Sequence, residues 1–257
     1  MILGLSDQRG PRQEPVRTEV WKMFDRVAHR YDFLNRLLSA GIDRRWRGKM
    51  ARLLPPGRDQ HVLDLATGTA DQLLFLFDKS NKIKSGLGID LAEKMLAIGR
   101  QKVQGRGLSE AITLKRGDAM DIPAQDKTFD AVTISFGIRN VSRVSQALSE
   151  MHRVLKPGGR LLVLEFSLPE HALIRSGYLL YLRHILPPLG ALVSGDSGAY
   201  RYLNQTIETF PYGGALCQLI AEAGFEAVQA RALTMGIAMI YQGDRPLSAK
   251  GHPTSKE

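Results

Sequence analysis

The segment at residues 61–71 constrains the fold of this chain more than any other. It reads as a short apolar strand, a turn of small residues around Gly68, and a helix that begins at Asp71. In an open parallel sheet, such a unit presents backbone N–H groups and a helix N-terminus to a ligand. The next predicted strand ends in Asp90, and βαβ units use a carboxylate at this place to hold ribose hydroxyls. The two strands together predict an α/β sheet that binds a nucleotide-like cofactor.

The glycine content of the turn distinguishes between cofactors. A dinucleotide site uses the pattern G-x-G-x-x-G, so that the pyrophosphate lies against bare backbone. This turn has one glycine, Gly68, between Thr67 and Thr69, with Ala70 after them. S-Adenosylmethionine carries an adenosine but no phosphate, so the turn favours that cofactor over NAD. We expect Gly68 to lie against the cofactor and Thr69 to contact its amino-acid end. A buried strand–helix turn without a ligand is the remaining alternative.

Composition limits the class of protein. The 257 residues suffice for one domain with a large core, and the single cysteine excludes a disulfide framework. The first residues contain too short an apolar run for a signal peptide or a membrane span, so we expect a cytoplasmic protein. The six histidines show no ligand spacing, and we expect no metal.

The positive charge of the chain is concentrated near its start. The formal net charge is +9, and residues 1–60 hold 13 Lys and Arg against 7 Asp and Glu. This excess suits nucleic acid or an anionic membrane surface. A solvated helix face explains it equally well.

Hydrophobic periodicity divides the chain into an arm, a domain and a tail. We predict a flexible arm at residues 1–18 and a disordered tail at 243–257. A single domain at 19–242 comprises a helical cover at 19–56, a cofactor-binding core at 60–168 and an apolar insertion at 172–210 that reads as a substrate lid. The core alternates strands and helices five times, and a final hairpin brings the count to about seven strands. Such a sheet has its ligand crevice at the carboxyl ends of strands one and four.

Several candidate cofactor ligands stand at or just after the carboxyl ends of predicted strands. Asp90 ends the second strand and is assigned to the ribose hydroxyls. Asp118 and Ala119 follow the third strand and are expected to flank the adenine. Ser135 belongs to the fourth strand and is expected to line its wall.

Four runs of residues give the chain a close resemblance to a known family. They lie at 24–35 (FDRVAHRYDFLN), at 135–141 (SFGIRNV), at 153–160 (RVLKPGGR) continuing to 164–167 (LEFS), and at 200–203 (YRYL) with 210–211 (FP). With these runs, residues 24–241 resemble the ubiquinone/menaquinone biosynthesis C-methyltransferases. The resemblance implies a Rossmann-like, seven-stranded methyltransferase fold that uses S-adenosyl-L-methionine to methylate a ring carbon of a polyprenyl quinol.

The resemblance also implies a substrate and partners. It favours demethylmenaquinol, a polyprenyl naphthoquinol, with the benzoquinol precursor of ubiquinone as a further substrate. Such substrates imply peripheral contact with a membrane surface, and a homodimer is left open. Two positions depart from the family: Ala70 stands where a glycine is usual, and Asp43 where a histidine is frequent. We expect the methyl group of Ala70 to be tolerated if its φ is negative, and we give Asp43 no catalytic role.

Ring methylation suggests which residues perform the chemistry. A phenol has a pKa near ~10, and its ionisation makes the ortho carbon nucleophilic, so the site must stabilise a developing phenolate. Arg139 is assigned as the charged donor to that oxygen, because a guanidinium stays protonated. Asn140 would supply a neutral donor, and Tyr31 a hydroxyl from the helical cover. The structural alternatives are an ion pair of Arg139 with Glu165, Asn140 as a helix cap, and Tyr31 as a core aromatic.

Two other functions use a similar core. An amino-methylating nucleic-acid enzyme would also be basic, but it carries an Asn/Asp-Pro-Pro-aromatic loop where this chain has Ser135-Phe136-Gly137. RNA binding would also leave the apolar insertion without a role, so we expect no nucleic-acid partner. A nucleotide-binding regulator or an NAD oxidoreductase is disfavoured by the missing glycines.

Overall fold

The computed structural model describes residues 20–26, 28–29, 39, 41–188 and 197–247, with the backbone alone at 197–201. Its centre is one sheet of seven strands: β1 (Gln60–Leu65), β2 (Ile83–Asp90), β3 (Ile112–Arg116), β4 (Phe129–Ser135), β5 (Leu155–Phe166), β6 (Glu226–Leu233) and β7 (Ala238–Asp244). Their spatial order is β3-β2-β1-β4-β5-β7-β6.

The sheet has the topology that places a ligand at one edge. β1 to β5 pair in parallel, and β7 runs antiparallel to both β5 and β6. The strand order reverses between β1 and β4, so the carboxyl ends of these two strands form the crevice of a doubly wound sheet. The predicted seven-stranded α/β class is confirmed.

Helices cover both faces of the sheet. They are α1 (residues 20–26), α2 (Asp43–Arg52), α3 (Asp71–Lys79), α4 (Glu93–Gly105), α5 (Val144–Val154), α6 (Ala172–Leu180), α7 (Ser197–Thr209) and α8 (Gly214–Glu222). Neighbouring strand residues point to opposite faces. Val62 therefore packs in the apolar cluster that includes α2, α3 and α6, and Leu63 in the cluster that includes α5 and α8.

The insertion after β5 consists of two helices with an irregular junction. α6 continues into a π-helical turn at Tyr181–Ile185, and α7 follows further along the chain. π-Helical turns are rare and are frequently found at functional sites. Within the described part of the chain, every helix is too short or too polar to cross a bilayer.

Two predicted boundaries need correction or remain incomplete. The tail does not begin at residue 243, because β7 runs to Asp244 and Arg245 donates from Nη1 to the carbonyls of His152, Arg153 and Leu155 at the end of α5. The helical cover is described only in part: α1 and α2 belong to it, and residues 30–38 lie outside the described residues. The arm at 1–18 lies outside them too.

Candidate active site

A cleft of about 390 Å³ opens at the carboxyl ends of β1 to β4. Its floor is formed by the residues that follow these strands, and the helix α1 lies over it with Trp21 and Phe24. Most of the lining side chains are apolar, and the charged ones are Asp90, Asp118 and Arg143. The cleft is thus a mainly apolar chamber with two carboxylates on its wall.

The turn after β1 has a backbone conformation that side chains disfavour. Ala66, Gly68 and Ala70 all have positive φ, at 47°, 55° and 65°. Glycine adopts this region freely, whereas alanine is strained there. The condition under which we expected Ala70 to be tolerated is therefore not met. Strain of this kind persists where the surroundings hold the backbone, and it is common at functional sites.

The loop after β4 approaches this turn closely. A Cβ atom on Gly137 would lie 2.4 Å from the Cβ of Ala66, so only glycine allows the two loops to touch. Phe136, immediately before it, has a φ of 58° and lines the cleft. A positive φ is a clear outlier for a residue of this size. The wall of the cleft between β1 and β4 is therefore tightly constrained.

Asp90 joins two of the cofactor loops. One carboxylate oxygen accepts the N–H of Gly68 at 2.8 Å, and the other accepts the N–H of Ala92 at 2.8 Å. Burial raises the pKa of Asp90, while these N–H donors favour its ionised form. Asp90 also lines the cleft, so its carboxylate could accept hydrogen bonds from ribose hydroxyls there.

Asp118 and Ala119 both line the cleft on the side of β3. The Asp118 carboxylate accepts the N–H of Met120 at 2.9 Å, which closes the turn after the strand. One side of the cleft thus presents a carboxylate beside the small side chain of Ala119. This arrangement leaves room for a flat heterocycle.

Thr69 and Ser135 do not line the cleft, and this corrects their predicted positions. The Thr69 side chain is buried, and its hydroxyl accepts a hydrogen bond from Lys102 of α4 at 2.9 Å. Ser135 points to the face covered by α2 and α3, where it donates to Gln72 at 3.1 Å. Phe136, the next residue, has a positive φ that breaks the alternation of the strand, and it lines the cleft where Ser135 was predicted to do so.

The helix α1 is fixed over the cleft by polar contacts. The Asp25 carboxylate accepts the N–H of Lys94 in the first turn of α4 at 3.0 Å, which caps that helix from outside. The guanidinium of Arg116 lies 5.4 Å from the centroid of the Trp21 ring. These contacts hold Trp21 and Phe24 as an apolar roof.

An aromatic cluster lies behind the wall of the cleft. It consists of Trp46, Phe136 and Phe166, with Phe136 and Phe166 stacked at 4.5 Å between ring centroids. Two guanidiniums cover it: Arg47 lies 5.3 Å from the Phe136 centroid and Arg139 lies 5.5 Å from the Phe166 centroid. Phe136 belongs to both the lining of the cleft and the cluster, so the cluster packs directly against one wall of the cleft.

Arg139 forms the ion pair that the sequence left as an alternative. The residue is 3% exposed, and its Nη1 donates to Glu165 Oε1 at 2.5 Å and to the Phe136 carbonyl at 2.8 Å. Its Nε is buried and has no hydrogen-bond partner among the described residues. Burial raises the pKa of Glu165, and the charge of Arg139 opposes this rise. The guanidinium is therefore fixed, charged and incompletely satisfied.

Of the other two predicted catalytic residues, Asn140 belongs to the described part of the chain and Tyr31 does not. Asn140 lines the cleft, and its Oδ1 accepts a hydrogen bond from the Tyr202 hydroxyl at 3.2 Å. It does not cap α5, which begins after Arg143. Tyr31 lies outside the described residues. Among the described residues, no cluster of side chains has the composition of a metal site.

Sequence reasoning missed the aromatic cluster, the roof residues of α1 and the buried Tyr178 of α6. The sequence does contain a signal for the buried ion pair. Glu165 is the only charged residue in the apolar segment 161–166, which belongs to β5. A buried charge requires a partner, and Arg139 is that partner.

The residues of the cleft fit S-adenosyl-L-methionine. The two carboxylates on its wall would repel a pyrophosphate, whereas they suit a cofactor with a sulfonium cation and ribose hydroxyls. Asp90 is placed to hold the ribose, Asp118 and Ala119 to flank the adenine, and Gly68 leaves the backbone open beside them.

Asp64 makes the stability of the turn below the cleft depend on pH. Burial raises its pKa from 3.8 to about 6, against hydrogen bonds from Thr133 and Thr67. The folded protein therefore holds this proton more tightly than the unfolded chain. The contribution of protonated Asp64 to the free energy of unfolding is complete below about pH 4 and is lost as the pH rises through about 6. At ~1.4 kcal/mol per pKa unit, the loss is ~3 kcal/mol.

The Asp64→Asn variant removes this titration, so its free energy of unfolding should fall less between those pH values. Urea denaturation of both proteins across this pH range measures their free energies of unfolding. The contributions of the other carboxylates are the same in both proteins and cancel in the difference. Parallel pH profiles would show that Asp64 does not titrate in this way.

The comparisons with known proteins identify the family of this chain. The model of the ubiE/COQ5 methyltransferase family matches residues 12–245. The demethylmenaquinone methyltransferase of Thermus thermophilus is 46% identical over 224 residues, 87% of this chain and 100% of that protein. The protein of the same name from Bacteroides fragilis is 43% identical over 223 residues, 87% of this chain and 91% of that protein.

A relative with a broader name and two solved structures complete the comparison. The ubiquinone/menaquinone biosynthesis C-methyltransferase UbiE of Geobacter sulfurreducens is 45% identical over 225 residues, 88% of each chain. A possible histamine N-methyltransferase of Thermotoga maritima superposes with a TM-score of 0.61 at 20% identity, over 88% of this chain and 100% of that one. The [4+2]-cyclase SpnF gives 0.60 at 18% identity, over 91% of this chain and 98% of that one.

Both superpositions establish the fold alone, because proteins with different reactions share it. The family match spans most of the chain, and the three relatives named above are 43–46% identical over 88–100% of their own length. The chain therefore belongs to the ubiE/COQ5 methyltransferase family, and it is a methyltransferase with S-adenosyl-L-methionine as its methyl donor.

Proposed function

We propose that this chain methylates a ring carbon of demethylmenaquinol and thereby forms menaquinol. The observation that carries the proposal is its identity of 43% and 46%, over 87% of its length, to proteins named demethylmenaquinone methyltransferase. The site supports it, because an aromatic cluster and a buried guanidinium lie directly behind the cofactor cleft. A flat apolar ring that carries one reactive oxygen matches this chemistry.

The chain's task in this reaction is to position two reactants. When bound, S-adenosyl-L-methionine would supply an electrophilic methyl group to the ring carbon, and the electron pair of the broken C–S bond would stay on sulfur. The ring carbon then loses its proton, which restores aromaticity. The roof residues Trp21 and Phe24 and the wall residue Phe136 exclude water and hold the reacting atoms in line.

We assign the stabilisation of the phenolate to Arg139. Its Nη1 donates to Glu165 and to the Phe136 carbonyl, and its buried Nε has no partner among the described residues, so Nε is a donor available to a substrate oxygen. The Glu165 carboxylate lowers the cost of burying the guanidinium. Asn140, on the wall of the cleft, would add a neutral donor, and Tyr31 remains a predicted hydroxyl.

A benzoquinol is the second candidate substrate. The relative from Geobacter sulfurreducens is named for both ubiquinone and menaquinone biosynthesis. Assays of the purified enzyme with demethylmenaquinol and with a demethylated benzoquinol, followed by mass spectrometry of the quinones, separate the two. Methylation of neither quinol would contradict the proposed substrate class.

Asp90 provides a test of the cofactor assignment. In the Asp90→Asn variant, one carboxylate oxygen becomes an amide NH₂, so the ribose loses a charged acceptor. We expect the Kd for S-adenosyl-L-methionine to rise about 10- to 100-fold by calorimetry, since a hydrogen bond to a charged group contributes about 1.5–3 kcal/mol. Asp78→Asn, which changes an exposed partner of Arg106, is the matched control. Equal affinities of the two variants would place the ribose elsewhere.

Arg139 provides a test of the catalytic assignment. Arg139→Lys keeps the charge but loses the planar fork, so it cannot serve both Glu165 and the substrate oxygen. We expect kcat to fall about 100-fold, while the Kd for S-adenosyl-L-methionine changes little. Arg160→Lys, which changes an arginine paired with Asp244 at the opposite edge of the sheet, is the control. Unchanged turnover in Arg139→Lys would remove Arg139 from the mechanism.

We also propose that the protein attaches peripherally to the cytoplasmic side of an anionic membrane through α6 and the π-helical turn. Leu173, Leu180 and Ile185 are 77%, 57% and 45% exposed there. Residues 171–188 contain no acidic residue. Arg183 is paired with Glu208 of α7 at 2.6 Å, so Arg175 supplies the positive charge that complements anionic lipids. A polyprenyl substrate resides in such a membrane, and this face adjoins the chain segment that leads from β5.

Vesicle flotation tests this membrane contact. The variant Leu173→Ser/Leu180→Ser/Ile185→Ser should lose at least about 10-fold in binding to vesicles rich in phosphatidylglycerol, because three apolar side chains no longer insert. Leu247→Ser changes an equally exposed leucine beside Gly158, at the opposite edge of the sheet, and should bind as the wild type does. Unchanged binding of the triple variant, or its conversion from a dimer to a monomer in size-exclusion chromatography, would contradict the proposal.

A further inference from the structure

We infer that the hydroxyl of Tyr178 is a second donor to the reacting ring oxygen and positions the quinol together with Arg139. The inference rests on the proposed function and adds a residue of the apolar insertion to the site. Neither the sequence motifs nor the relatives' names point to Tyr178. It stands on two unpartnered polar atoms that the fold buries in the same apolar cluster.

The Tyr178 hydroxyl is buried without a hydrogen bond. The residue lies on α6 and is 7% exposed, and its hydroxyl has no partner among the described residues. Buried hydroxyls are normally paired, because an unpaired one loses its bonds to water without compensation. The buried Tyr241 shows the usual pattern: its hydroxyl accepts the N–H of Gly213 at 2.8 Å. The unpaired hydroxyl of Tyr178 therefore indicates a missing hydrogen-bond partner, whereas that of Tyr241 does not.

The surroundings of Tyr178 are those of the proposed substrate oxygen. It belongs to the same apolar cluster as Phe136 and Phe166, over which the Arg139 guanidinium lies. Burial raises the pKa of Tyr178, and the charges of Arg139 and Glu165 both act on its hydroxyl. Tyr178 thus stays protonated at neutral pH and is a donor.

One ligand oxygen would satisfy both orphaned groups. Arg139 Nε and the Tyr178 hydroxyl are donors, so the missing partner is an acceptor, and a phenolate accepts two hydrogen bonds. The Glu165 carboxylate disfavours a doubly charged group such as phosphate at this place. Two donors on one oxygen form the kind of oxyanion site that stabilises charge as it develops.

The Tyr178→Phe variant tests this role, because it removes the hydroxyl and keeps the ring. We expect kcat for demethylmenaquinol to fall about 100-fold, while the Kd for S-adenosyl-L-methionine stays the same. The urea midpoint should stay the same or rise, because an unpaired buried group is lost. The pH at which kcat reaches half its maximum should move upward, because the phenolate is less stabilised. Tyr241→Phe is the control: it should lower the urea midpoint and leave kcat unchanged.

The outcomes separate this inference from the proposal on which it rests. Wild-type turnover retained in Tyr178→Phe would overturn the role of Tyr178 alone. A loss of kcat accompanied by a lower urea midpoint and an unchanged pH profile would make Tyr178 structural and overturn it too. A wild-type enzyme that methylates neither quinol would overturn the proposed substrate and this inference together.

Discussion

The position of the cofactor cleft depends on the two backbone N–H groups that Asp90 accepts. One comes from Gly68 in the turn after β1, and the other from Ala92 at the start of α4. The carboxylate thereby holds two loops from neighbouring strands at a fixed separation. Burial raises the pKa of Asp90, and the N–H donors of the two loops act in the opposite direction. Loop geometry and ligand chemistry are therefore set by the same side chain.

A second buried carboxylate, that of Glu165, fixes the loop after β4 behind the cleft. Glu165 pairs with Arg139 inside an apolar cluster, where an unpaired guanidinium would be costly to desolvate. The pair is neutral as a whole, so a neutral ring can lie against it without meeting an uncompensated charge. In the proposed reaction, the guanidinium would bind the phenolate through Nε while Nη1 stays on Glu165. An electrostatic site arranged in this way needs little reorganisation during the reaction.

The sequence predicted the parts of this site that depend on local pattern. Gly68, Asp90, Asp118 and Ala119 line the cleft as expected, because each stands at or just after the end of a strand and parallel strands end at one edge. Side-chain direction was not predictable in the loops: a positive φ at Phe136 turns that residue, and not Ser135, into the cleft. Thr69 was misplaced because its partner, Lys102, is distant in sequence. The choice between a free and a paired Arg139 likewise depended on a contact 26 residues away.

The strained residue Phe136 links the geometry of the cleft to that of the aromatic cluster behind it. A positive φ at a non-glycine residue costs about 1–3 kcal/mol and persists only where neighbours impose it. At Phe136 these neighbours are identifiable: Gly137 packs against Ala66 on one side, and Arg139 binds the Phe136 carbonyl on the other. Since Glu165 fixes Arg139, the ion pair on the substrate side also fixes the wall on the cofactor side. One chain of contacts therefore runs from Glu165 to Ala66, and in the proposed reaction a shift at either end would move the reacting atoms out of line.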